Sequence, residues 1–258
     1  PTPDVSTLIF NITGRAREIY LHGLSRGNRP SVFSKVGDSI TTYPQYLLTI
    51  GTGRYNLREY AYLEETVVFF RATLAYNGNS FVNTSRAAKS GWSSYSVLAP
   101  NLADPTVCRP NESPLTCEYR LSRPALGLIM IGTNDAPTTS NDAYRANLQR
   151  IVDESVAMGV VPILSTIPPS ARSDYDARVN ELNAILFDVA QANQTPVWNY
   201  WAALQALPNR GLGPDGVHPS FAPDPADFTA TNLQYGFAMR NLLALQTLDV
   251  LRRQVMYP

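Results

Sequence analysis

Residues 125–131, ALGLIMI, form an unbroken apolar run between Pro124 and Gly132. A strand with no polar side fits the middle of a sheet covered on both faces, as in parallel α/β sheets. Working outward, VVPILS at 160–165 and PVW at 196–198 read as two later strands. Val32–Gly37 and Ser80–Thr84 are less apolar and read as two earlier ones. Between the later strands, Asn141–Met158 places Leu148, Ile151, Val152 and Val156 at helical spacing and stops at Gly159. Asp176–Asn193 repeats the pattern, and Thr229–Arg253 is a Leu-rich helix ending in basic residues. Strand and helix thus alternate, which predicts a three-layer α/β/α sandwich around a mostly parallel sheet of about five strands. Ahead of it, Ala16–Leu24 reads as an amphipathic helix, and Asn56–Leu74 as another that lengthens the first connection. The division is residues 1–30 as an N-terminal extension with its helix and 31–258 as one α/β domain.

With 258 residues the chain can bury a single large core. It carries 21 Lys+Arg against 21 Asp+Glu, with a pI near 7.2. That balance offers no surplus to hold a polyanion, so nucleic acid is not an expected partner. Hydrophobic residues make up 44%, but no apolar run approaches the ~18 residues of a membrane span. Two histidines, His22 and His218, leave little capacity for an imidazole metal site, and neither metal nor cofactor is expected.

Cys108 and Cys117 bracket a polar, proline-containing loop (CRPNESPLTC) without zinc-type spacing. A disulfide is the preferred reading, a reduced pair in a cytosolic loop the other. The opening PTPDVST resembles the end of a Pro/Thr linker, and with the disulfide it gives the expectation of a secreted protein. Asn-x-Ser/Thr triplets at Asn11, Asn83, Asn111 and Asn193 have meaning only in a glycosylating host. Oligomeric state is not legible.

Four polar segments interrupt this pattern: GDSIT at 37–41, KSGWSS at 89–94, GTNDAP at 132–137 and DGVHPS at 215–220. Each follows an expected strand or lies in the loop before the last helix, positions that converge outside the carboxyl ends of a parallel sheet. Together they hold what serine hydrolysis requires. Ser39 is the candidate nucleophile. His218 is the candidate base, since His22 falls within a helical stretch. Asp215, beyond the flexible Gly216, can fold back onto the ring. The Ser39 and Gly91 N–H groups and the Asn134 amide are candidate oxyanion donors. Asp38 and Asp135 read as carboxylates that hold the loops. Trp92, Tyr43 and Tyr95 either line a substrate pocket or merely pack.

These four blocks, with Ser, Gly, Asn and His in this chain order, resemble the SGNH or GDSL hydrolases. GDSIT is similar to the first block, SGW to the glycine block, GTND to the asparagine block and DGVHPS to the last. The resemblance spans about Val32 to Phe221. It implies a flavodoxin-like fold and a metal-independent serine esterase with the roles just given, acting on O-acetylated carbohydrates, short acyl esters or lipids. Neutral charge and the absence of an apolar lid-like segment favour small or carbohydrate esters. The long span between Ser39 and Gly91, and Pro44 soon after the nucleophile, depart from the family pattern. Two other readings keep the same scaffold: a non-catalytic extracellular carbohydrate-binding module, and an acyltransferase with the same triad.

Overall fold

The run at 125–131 occupies the middle of the sheet. The computed structural model describes residues 7–257. In chain order they form β1 (Ile9–Phe10), α1 (Gly14–Ser25), β2 (Arg29–Gly37), α2 (Ser39–Thr42), α3 (Leu48–Gly51), α4 (Glu64–Arg71) and α5 (Pro114–Ser122). There follow β3 (Pro124–Met130), α6 (Asn141–Ala157), β4 (Val161–Ser165), α7 (Ser173–Asn193), β5 (Val197–Trp198), α8 (Tyr200–Leu204) and α9 (Gly236–Leu251). The linker-like PTPDVS stretch lies outside the described residues.

Five strands pair in the order β1-β5-β4-β3-β2. β2, β3, β4 and β5 are parallel, and β1 closes the β5 edge antiparallel. β3 is buried along its whole length because it has a neighbour on each side, Phe33 opposite Leu126 and Leu126 opposite Val161. Alternation along β2 sorts the layers. Ser34 faces α5, where its hydroxyl meets Glu118, whereas Phe33 packs edge-on against Phe70 of α4. α6 joins α5 on the first face with α7 against it, and α9 joins α4 on the second. α9 is buried at every position except Val250, so it is a core helix rather than an amphipathic cover.

Ser80–Thr84 does not form the expected strand. Asn79 draws this segment into a turn instead, its side chain accepting from the Phe81 N–H and its carbonyl from the N–H groups of Val82 and Asn83. Backbone committed to a local turn cannot also join a ladder. Parallel contact with β2 survives as a single bridge, Gly37 with Ala88, and the fifth strand comes from β1. The stretch at 56–74 divides into a 3-10 turn, Arg58–Leu63, and α4, and the last helix begins at Gly236 rather than Thr229. Cys108 and Cys117 are bonded, with 5.3 Å between their Cα atoms, and tie the preceding loop to α5.

Candidate active site

β2 ends at Gly37, where the chain must turn sharply toward α2. A side chain there would collide with the Met130 carbonyl and with Thr41, so only glycine lets β2 pass this close to β3. Asp38 then caps α2, its carboxylate accepting from the Ile40 N–H at 3.0 Å. Ser39 is the first residue of that helical turn, so its N–H has no intrahelical acceptor and its hydroxyl projects from the rim of the sheet.

The other partners come from the loop ahead of α9. Asp215 Oδ1 accepts from the N–H groups of Val217 and His218, both at 3.0 Å, and shapes the turn. Its Oδ2 lies 2.6 Å from His218 Nδ1. A carboxylate at that nitrogen fixes the proton on Nδ1 and leaves Nε2 as an acceptor. Ser39 Oγ sits 2.8 Å from Nε2 and donates to it, although the two residues are 179 positions apart. Burial pushes the Asp215 carboxyl up, but the bonds from Val217 and His218 outweigh it and hold the group below its ordinary range. The carboxylate therefore stays ionised beside the ring.

Three hydrogen-bonded links bring the remaining blocks to Ser39. The segment before Gly91 runs along the end of β2, with Gly37 N–H donating to Ala87 O and Lys89 N–H to Gly37 O. The Asn134 amide donates to the Trp92 carbonyl at 2.9 Å, which uses one of its two hydrogens and leaves the other free to face a ligand. Asp135 then clamps the same two loops, accepting from Ser94 N–H at 2.8 Å and from Ser94 Oγ at 2.6 Å. Gly91 has φ +80°, a left-handed conformation suited to glycine, and it is exposed at the surface of this turn.

Tyr43 lies beside His218, with 5.1 Å between the two rings. Trp92 is in the core, and what it presents to Asn134 is its carbonyl. Tyr95 is exposed, and His22 lies on the exposed side of α1, in its last turn.

Sequence reading missed Arg240 and Asn241. Arg240 is 1% exposed, donates to Ile40 O at 2.6 Å and to Thr41 Oγ1 at 3.0 Å, and stacks 3.7 Å over the Tyr46 ring. Asn241 accepts from Leu47 N–H and donates to Gln45 O. The pair fastens the segment after Ser39 to α9. An Arg-Asn pair inside the apolar run AMRNLLAL at 238–245 was the available signal. Burial also pushes the Asp38 carboxyl up to about 6, against the Ile40 N–H and the Arg240 charge.

Residues 36–222 match the model of the GDSL-like lipase/acylhydrolase family. Solved structures of similar fold include a lipase/acylhydrolase from Enterococcus faecalis, 20% identical with TM-score 0.56, the match covering 86% of this chain and 95% of that one. A GDSL-like lipase from Bacteroides thetaiotaomicron is 19% identical with TM-score 0.52, covering 91% and 97%. A catalytic mutant of an acetylxylan esterase from Geobacillus stearothermophilus is 17% identical with TM-score 0.53, covering 84% and 93%. No curated relative matches by sequence. Among the described residues no helix is long and apolar enough to cross a membrane.

Proposed function

The chain belongs to the GDSL-like lipase/acylhydrolase family of serine hydrolases acting on esters, and on that premise we propose that it hydrolyses small acyl esters of carbohydrates through an acyl-enzyme on Ser39. The relay Asp215–His218–Ser39, at 2.6 and 2.8 Å, carries this reading. Ser39 Oγ attacks the ester carbonyl carbon while its proton passes to His218 Nε2, and Asp215 steadies the imidazolium. Negative charge on the former carbonyl oxygen is held by the Ser39 and Gly91 N–H groups and the second Asn134 hydrogen. His218 returns the proton to the departing alcohol oxygen, which breaks the ester bond and leaves the acyl group on Ser39. Water then repeats the sequence, releasing the carboxylic acid and restoring the serine hydroxyl.

An extracellular location is part of the proposal, supported by the Cys108–Cys117 bond. Carbohydrate esters are supported by the likeness to the acetylxylan esterase fold and by the neutral charge balance. The test is labelling with a fluorophosphonate probe alongside p-nitrophenyl acetate turnover. Labelling of the native chain and its disappearance in Ser39→Ala are expected. A folded native chain that neither labels nor turns over would reduce the protein to a binding module.

A further inference from the structure

During acyl transfer the alcohol must leave on the side of the group that protonates it, while the carbonyl oxygen faces the oxyanion donors. The two halves of an ester are therefore sorted in space by His218 on one side and by Gly91 and Asn134 on the other. On the His218 side lies a hollow of about 600 Å³ that includes His218 and Asp215 in its wall, within the ~300–1,000 Å³ of small-molecule sites. Its flat surfaces are Tyr43, Phe221 and Tyr235, with Pro214 beside them and Asn209 adding a polar side chain, while the Ser220 hydroxyl in the same wall is spent on Gly211 O and the Gly236 N–H. Tyr43 touches both His218 and Phe221, at ring distances of 5.1 and 5.3 Å. Phe221 is 52% exposed, a large ring left open to solvent in the same hollow as His218.

We infer that this hollow is the subsite for the alcohol half of the substrate and that it takes an uncharged sugar ring, an inference that rests on the hydrolase reading above. Aromatic faces suit the C–H face of a pyranose, and the Asn209 side-chain amide, whose nitrogen donates to Leu212 O, keeps its oxygen for a sugar hydroxyl. No Lys or Arg lines the hollow, and its one carboxylate is Asp215, so a phosphate- or carboxylate-bearing alcohol finds no partner there. Tyr43 forms one wall and Phe221 provides the open stacking surface, so Phe221 sets the preference for the alcohol more than for the acyl group.

The experiment compares kcat/KM ratios in native protein, Phe221→Ala and Phe221→Trp. Substrates are a monoacetylated methyl xyloside, ethyl acetate, octyl acetate and a butyrylated methyl xyloside, with fluorophosphonate labelling measured in parallel. In Phe221→Ala the xyloside-to-ethyl acetate ratio is expected to fall about tenfold, mainly through KM, while the butyryl-to-acetyl ratio on the same sugar stays put. Phe221→Trp restores the first ratio. Labelling intact with the alcohol ratio unmoved overturns the subsite, as does a larger loss on octyl acetate than on the xyloside, which assigns the hollow to an alkyl chain. A shift in the butyryl-to-acetyl ratio assigns it to the acyl group instead. Loss of labelling in the native chain overturns the hydrolase reading itself.

Discussion

Ser39 and His218 stand 2.8 Å apart, yet the chain holds them by different means. Ser39 follows a buried strand: Gly37 is wedged against β3, Asp38 is fully buried, and Arg240 and Asn241 of the core helix grip the residues that follow. His218 sits on a turn whose shaping carboxylate, Asp215, has a side chain 53% exposed. That turn is shaped by local hydrogen bonds, from Val217 and His218 to Asp215 and from Gly213 N–H to His218 O, with one bond from a distant segment, Ala171 N–H to Gly216 O. Tertiary packing dominates around one partner and local geometry around the other. Damage to the first region should therefore register in folding, damage to the second in turnover.

The sharpest test removes the hydroxyl alone. Ser39→Ala should cost about 10⁶ in kcat while the melting temperature is preserved, because Asp38, Ile40 and Thr41 keep their bonds. On the other side, Asp215→Asn should cost about 10⁴ in kcat with little change in stability, since an amide can still accept from the Val217 and His218 N–H groups but does not hold the imidazolium. A large drop in unfolding midpoint for this variant would erase the contrast. Asn134→Ala should lower kcat by about 10²–10³ with a smaller effect on KM, as expected for a donor used chiefly in the transition state.

The smallest effect concerns the buried side. Asp38 titrates near 6 in the folded protein against an ordinary 3.8, because burial disfavours its charge. Between those values the folded state binds more protons than the unfolded, so this group's contribution to stability falls as pH rises through the window. In urea titrations across pH 4 to 7, Asp38→Asn should flatten that fall relative to the native chain. A steeper fall in the variant would place the proton elsewhere.

The same contrast governs what the sequence disclosed. The strands at 125–131 and 160–165 were readable because burial on both faces leaves a continuous apolar signature. The four polar blocks stood out as short exceptions at strand exits, and DGVH carries its geometry within three positions, so Asp215 and His218 could be paired by inspection. Ser80–Thr84 misled because a single asparagine side chain decided between turn and ladder. Arg240 was missed because its partners, Ile40 and Thr41, lie about 200 positions away: the Arg-Asn pair in its apolar run signals a buried polar pair but not what it holds. β1 was missed because two residues, Ile9 and Phe10, carry no period.

The carboxylate of Asp135, holding Ser94 by two bonds, makes the Gly91 and Asn134 loops one mechanical unit with Trp92 inside it. Such a unit is lost whole, so under rising urea ester cleavage should vanish in one step. Indole emission from Trp92, read as the difference between the native chain and Trp92→Phe because Trp198 and Trp201 also emit, should shift to the red at the same concentration.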